Sequence, residues 1–416
     1  MKRALGASMR ARGQALIAAL LLALLLAAGT LLAGGELRTR SSALAHARSV
    51  AALAQARDAL IGYAISYDER HPGEGYGFLP CPDSGNSGST PIGACGAREL
   101  GAIGRLPWRT LGLADLRDGW GECLWYAVAG SIKHNPKPLL LNWDNAGQFA
   151  LQAGDGRTLA AAAPDHLAVA VVFAPGPPLP GQVRPSAADR ACSGSASAAA
   201  DLSSYLEGAY PSPISGALTV AAGEQPAGAD GRRNDLIAWI GIDDIFDALR
   251  RRADHADHVD ALITTAADAL AGRLGDADFI AAHSQDTPGA LRIGLLPAGA
   301  ALALPAADRL RLERWRDQFR FAVCTDGSAC IDAELDPPSA TQACRGVLLF
   351  GGERIRSGAG AQPRLTAAQR ADPAQYFEGD NARHLSQGIP SFTGAARFRV
   401  AAPHQPATAD VLRCLP

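Results

Sequence analysis

The chain has 416 residues, 48% hydrophobic and 19% charged, with 39 Lys and Arg against 41 Asp and Glu for a formal net charge of −2. That length admits two or three domains. A balance this close to neutrality argues against a nucleic-acid binder, which needs a concentrated basic face, so no nucleic-acid partner is expected.

The chain opens with a cationic leader carrying Lys2, Arg3, Arg10 and Arg12. Ala15 to Ala33 follows without a charge, and its only polar side chain is Thr30. At about 1.5 Å per residue, such a helix would span nearly the ~30 Å hydrocarbon core of a bilayer. The leader favours a cytoplasmic N-terminus; Arg38 and Arg40 weaken that bias and Glu36 partly offsets them. No proline occurs before Pro72, so one helix is predicted to continue to about Tyr67. A secretory signal cleaved near Leu32-Ala33-Gly34-Gly35 and an uncleaved anchor both fit the hydrophobic run.

Beyond the run, Val50, Leu53, Ala54, Leu60, Ile61 and Ala64 paint one helical face, while Arg48, Gln55 and Asp58 occupy the rest. Arg57 interrupts the stripe and can snorkel outward. Glycine, proline, serine and asparagine dominate His71 to Arg105, which predicts an irregular loop. Leu124 to Val128, Phe149 to Leu151 and His166 to Phe173 read as strands, the last a continuous apolar run suited to a buried central position. Pro175 to Pro185 is a proline-rich connector, and Ser186 to Gly228 is small, polar and loop-like. A helical section is predicted from about Asn234 to His283. Within it Ile242, Ile245, Phe246 and Leu249 recur at helical spacing, and Val259, Leu262, Ala266, Leu270 and Leu274 mark a second helix. Leu310 to Phe321 reads as a third helix; Val347 to Phe350 and Ala396 to Ala401 read as strands.

Arg12-Gly13-Gln14-Ala15-Leu16-Ile17 resembles the cleavage motif of type IV pilins and type II secretion pseudopilins, in which a glycine precedes the hydrophobic start of the mature helix. This adds a third alternative for the N-terminus: a leader cut on the cytoplasmic side between Gly13 and Gln14. The chain departs from the family pattern in having Gln14 first and Ala18, instead of glutamate, at the fifth mature position. A subunit lacking that carboxylate resembles the large minor pseudopilin at a fibre tip. A second likeness lies in Gly77-Phe78-Leu79-Pro80-Cys81-Pro82-Asp83, then Gly104-Arg105-Leu106-Pro107-Trp108, then Asp118-Gly119-Trp120-Gly121 running into Leu124-Trp125-Tyr126. It is similar to the proline-rich loop, Asp-x-Trp-Gly turn and aromatic strand of pseudopilin heads, with Asp118, Trp120 and Gly121 in the turn.

The resemblance implies an α+β fold: a long N-terminal transmembrane-plus-stalk helix packed on an antiparallel-sheet pilin-like head, with a large mainly helical insertion or second lobe. The corresponding divisions are 1–13 leader, 14–67 transmembrane and stalk helix, 68–185 head, 186–320 insertion or lobe, and 321–416 strand and loop region completing the head. The implied role is that of a structural subunit, not an enzyme, without a cofactor. It would sit in a bacterial inner membrane as a single-pass protein, its head in the periplasm or on an extracellular fibre. Its partners would be other pilin or pseudopilin subunits through the N-terminal helix, a prepilin peptidase and the membrane itself. The alternative is a membrane-tethered periplasmic enzyme or ligand-binding protein unrelated to fibre assembly.

The eight cysteines, Cys81, Cys95, Cys123, Cys192, Cys324, Cys330, Cys344 and Cys414, form an even set. An oxidising compartment would join them in four bridges, with 105 connectivities possible; Cys81–Cys95 and Cys324–Cys330 are the favoured pairs. Zinc would need short paired spacings such as C-x-x-C, which are absent. His255 and His258 are three apart, so both could meet one metal from one helix face beside Asp254 or Asp257; a solvated helix face is the simpler reading and is preferred. Asp83 opens a glycine-rich oxygen-bearing turn, as calcium loops do, but the single carboxylate reads more simply as a loop between cysteines. No metal is assigned. Trp108, Trp120, Trp125 and Trp143 would line a groove or, more simply, pack a core. No nucleophile elbow, phosphate loop or dinucleotide fingerprint is present.

Overall fold

The computed structural model describes residues 4–160, 166–184, 192–225, 232–336, 341–355, 361–400 and 410–416; for 4–18, 23, 25–36, 38 and 160 it describes the backbone alone. A single helix runs Ala4–Ile65, as the absence of proline allows. It stops where the Ser66 hydroxyl turns back onto the Gly62 carbonyl at 2.7 Å, and a short helix Tyr67–Arg70 follows. The buried positions of the long helix are Ser49, Ala52, Leu53, Ala56, Leu60, Tyr63 and Ala64, steps of three and four that make one stripe. Val50, expected on that stripe, lies off it and is 49% exposed. Arg57 does not point away from the head; it donates to the Trp239 carbonyl at 2.9 Å and pairs with Asp244 at 2.7 Å.

The membrane-crossing segment is the main correction to the sequence reading. Crossing a bilayer takes about 20 consecutive apolar residues in a helix, and among the described residues no helix is long and apolar enough to do so. Within Ala15–Ala33, Ala19, Leu20, Leu21, Leu22 and Leu24 are described with their side chains, and the other side chains lie outside the described residues. The fold is a mixed α+β arrangement of one long helix, several short helices and three sheets, and the correction is that no helix among the described residues is long and apolar enough to be a transmembrane segment. The expectations resting on that segment fall with it: a fibre subunit or membrane-tethered protein, partners that pack through the N-terminal helix or cleave it, and a single-pass inner-membrane location. Gly13 and Gln14 lie in the helix, their side chains outside the described residues.

The stripe of the long helix packs against an antiparallel four-stranded sheet in the order Ala102–Arg105, Trp125–Val128, Ala170–Ala174, Leu236–Ile240. The first three strands are buried along their whole length; Trp125–Val128 and Ala170–Ala174 are correspondingly apolar throughout, and Arg105 at the end of the first is matched by Asp201 at 2.6 Å. Leu236–Ile240 falls in the section expected to be helical; a short apolar run carries no periodicity that separates strand from buried helix. A second sheet of three strands is ordered Thr158–Ala160, Phe149–Gln152, Leu218–Ala221.

Helices Ile242–Arg250, His255–Ala271, Ala277–His283 and Ala306–Trp315 follow. The first is buried through Ile242, Ile245, Phe246 and Leu249, and Asp244 accepts from the Gly241 N–H at 2.8 Å at its start. The helix predicted to reach Phe321 ends instead at Trp315, and Phe319–Cys324 is a strand. Its alternation decides the matter. Phe319, Phe321 and Val323 face the main core with Leu348, Phe350, Val411 and Leu415; Ala322 and Cys324 face a smaller core with Val347, Leu349 and Leu412. This strand belongs to an eight-stranded sheet, ordered Gln342–Cys344, Ile331–Asp336, Ser391–Ala395, Val411–Leu415, Gly346–Phe350, Phe319–Cys324, Leu291–Leu295, Gln285–Asp286. Ile331–Asp336 and Ser391–Ala395 pair in parallel. The strand expected at Ala396–Ala401 ends at Ala395, because Phe398 leaves the ladder: its N–H donates to Asp260 at 3.0 Å and its ring stacks on Trp143.

The Asp118-Gly119-Trp120-Gly121 turn meets the long helix. Asp118 accepts from the N–H groups of Trp120, Glu122 and Gly176 at 2.8–2.9 Å. Burial nevertheless raises its carboxyl above the ordinary range. Gly121 is left-handed at φ +86°. The Gly119 N–H donates to Ser49 Oγ at 3.0 Å, and a Cβ on Gly119 would lie 1.8 Å from the Ala45 carbonyl oxygen, so only glycine permits this approach. Gly119→Val should therefore cost about 3 kcal/mol and raise hydrogen exchange selectively in the Ala45–Ala52 segment. Denaturant unfolding checks the first effect; a loss below about 0.5 kcal/mol, the level of an ordinary surface change, would show that the turn is not docked.

Candidate functional site

A cavity of about 130 Å³ opens where four segments meet. One wall is the segment after the long helix, with Asp68, Gly75 and Tyr76. The second is Phe246 and Leu249 of helix Ile242–Arg250. The third is helix His255–Ala271, which contributes His255, His258, Val259, Leu262 and Thr265. The fourth is Asp308, Arg311, Arg314 and Trp315 of helix Ala306–Trp315, with Leu141 adjoining. Spacings of three, four and seven put each helix's contribution on one face.

The floor is apolar and aromatic. The Trp315 ring meets Trp143 edge-on at 4.6 Å and lies 6.0 Å from Phe246, and His255 meets Phe398 edge-on at 6.2 Å. At the rim, His258 meets Tyr76 edge-on at 5.4 Å, and its Nδ1 lies 2.8 Å from the Asp254 carbonyl. His258 and Arg311 have more than a third of their side chains exposed.

Most charges around the cavity are already matched. Asp68 accepts from the Gly75 N–H at 2.6 Å and pairs with Arg311 at 3.5 Å. Arg252 pairs with Glu69 and Asp254 and donates to the Ile65 carbonyl. Lys137 pairs with Glu74 at 3.0 Å. Two buried groups stand apart. His255 and Arg314 are each 5% exposed, and His255 Nε2 and Arg314 Nη1 have no hydrogen-bond partner. The Arg314 guanidinium lies 4.6 Å over the Phe78 ring, a partial compensation. Gly75, at φ +77°, leaves room beside it: a Cβ there would come within 3.0 Å of Arg314 Nη1. Burial, with Arg250 and His258 nearby, pulls the His255 imidazole down to about 4, so the ring is neutral at neutral pH. Burial also pulls Arg314 down to about 10, against the neighbouring Glu74, Tyr67 and Asp68; it remains a cation. A buried cation with an unmatched donor is costly, and a ligand that accepts from it would relieve that cost.

His255 and His258 thus line one cavity at different depths, one buried and one at the rim. Among the described residues no group of three or more His, Cys, Asp or Glu is arranged to hold a metal ion. The Asp83 carboxylate is filled by its own loop, accepting from the N–H groups of Gly85, Ser87 and Gly88 at 2.6–2.9 Å. Trp125 and Trp143 are core residues and Trp108 is partly buried against the core. Trp120 is half-buried in its turn. All eight cysteines are bonded, as Cys81–Cys95, Cys123–Cys192, Cys324–Cys330 and Cys344–Cys414. The residue that sequence reasoning missed is Arg314. In Glu313-Arg314-Trp315-Arg316 it reads as one of several surface charges, and the available signal was its place one turn beyond Arg311 beside Trp315.

No protein family, no curated protein and no solved structure matches the chain. The likeness to pilins rests on the motif residues alone.

Proposed function

We propose that the chain is a binding protein that takes one small molecule, apolar over most of its surface and polar at one end, in the cavity between helices Ile242–Arg250, His255–Ala271 and Ala306–Trp315. The observation that carries this reading is the pair of buried, unpartnered polar atoms, His255 Nε2 and Arg314 Nη1, on residues that line a largely apolar cavity. Ligand sites combine an apolar lining with a few polar groups that fix orientation. The volume suits a single ring, since an apolar cavity of about 150 Å³ takes benzene.

The test is saturation-transfer NMR on the full chain with toluene, phenylacetamide and phenylacetate as probes, repeated on Leu262→Trp. Leu262 is half-buried and lines the cavity, so tryptophan there fills space without entering the main core. Wild type should give transfer to at least one probe and the variant should lose it. No transfer in wild type, or equal transfer in both, overturns the proposal.

A further inference from the structure

Taking the cavity as the ligand site proposed above, we infer that its ligand is a monocarboxylate on a single ring or a short branched alkyl group, with the carboxylate held by Arg314 beside the buried His255. The charge of the ligand follows from which cation near the cavity has an unmatched donor. Arg311 is paired with Asp68, Arg252 with Glu69 and Asp254, and Lys137 with Glu74. Arg314 is left as the cation of the buried end, with Nη1 unmatched. Asp308 also lines the cavity, and Glu69 and Asp254 share Arg252, so a single carboxylate finds its match in Arg314, whereas the second charge of a phosphate or phosphonate dianion would meet only carboxylates. A planar carboxylate also matches the fork of a guanidinium better than other monoanions.

The apolar portion is bounded by size and walls. About 130 Å³ lined by Leu141, Phe246, Leu249, Val259, Leu262 and Trp315 holds a six-membered ring or its branched-chain equivalent, not a fused bicycle or a long acyl chain. Chains with several more methylenes would project past the exposed His258 and Arg311 into water, where they gain nothing from burial.

Calorimetric titration of the full chain with phenylacetate, phenylacetamide and phenylphosphonate at neutral pH tests the assignment. Wild type should bind phenylacetate at least tenfold more tightly than either of the others, a comparison that needs no variant. In Arg314→Met the preference over the amide should collapse to within about twofold while phenylacetamide still binds. Arg314→Lys, which keeps the charge without the fork, should retain a reduced preference and controls for a variant that fails to fold. Equal wild-type affinity for acid and amide, tightest binding of the phosphonate, or an undiminished acid preference in Arg314→Met would overturn the carboxylate assignment and leave the cavity reading intact. Failure of all three compounds and of toluene would overturn both.

Discussion

Arg364→Ala should destabilise the protein by about 3–5 kcal/mol, the range for breaking a buried ion pair from one side. Arg364 is 1% exposed and joins segments far apart in the chain. Its Nη1 pairs with Asp144 Oδ2 at 3.0 Å and donates to Gln318 Oε1 and the Gly352 carbonyl at 3.2 Å. Its Nη2 donates to Gln362 Oε1 at 3.0 Å, its Nε to the Gln375 carbonyl, and the guanidinium lies 4.3 Å over the Tyr376 ring. Alanine would leave Asp144 buried with Gln318 Nε2 at 2.6 Å and the more distant Arg354. The neighbouring Asp317 shows how poorly this region tolerates an extra negative charge: burial, reinforced by Asp144, pushes its carboxyl up to about 6. Denaturant unfolding measures the loss. The double variant Asp144→Asn/Arg364→Met should be more stable than Arg364→Ala, because neither partner is then an uncompensated charge. Strict additivity of the two changes would show that the pair does not act as a unit.

The parts of the fold legible in the sequence are those fixed by local pattern. The aromatic strand Trp125–Val128, the apolar strand Ala170–Ala174 and the helix carrying Ile242, Ile245, Phe246 and Leu249 all bury the residues whose spacing marked them. Patterns that depend on distant partners were not legible. Leu236–Ile240 becomes a strand only because Ala170–Ala174 presents an open edge to it. Phe398 leaves its strand only because Asp260, more than a hundred residues earlier, receives its N–H. The candidate site divides in the same way. The three-residue spacing of His255 and His258 correctly put them on one helix face, but spacing alone assigned that face to solvent or metal. Helix Ala306–Trp315, with Arg314 on it, and the Asp68–Tyr76 segment turn it into a cavity wall, and nothing local in His255–Thr265 encodes their arrival. At the N-terminus, the hydropathy of Ala15–Ala33 predicts a membrane-crossing helix, whereas among the described residues no helix is long and apolar enough to cross.

Removing the Cys123–Cys192 bridge should cost about 4 kcal/mol, and removing Cys324–Cys330 about half as much, because loop-closure entropy grows with the logarithm of loop length. The bridges close 69 and 6 residues of sequence separation respectively. Cys123 lies just before strand Trp125–Val128 and Cys192 just before helix Ala198–Tyr205, so the longer bridge returns a wide excursion of chain to the first sheet. Other contacts hold the same junction. Asn86 Nδ2 donates to the Cys192 carbonyl at 2.9 Å, the Cys192 N–H donates to Asn86 Oδ1 at 3.1 Å, and the buried Arg105 pairs with Asp201 at 2.6 Å over the face of Trp125. These native contacts survive in Cys123→Ala/Cys192→Ala, so the loss should come mainly from a freer unfolded chain, leaving the spectroscopic signature of the folded state unchanged. Urea unfolding of the two double variants against wild type checks the order. A loss from the short bridge equal to or larger than that from the long one would show that native-state packing around Cys324, and not the length of chain enclosed, sets what each bridge contributes.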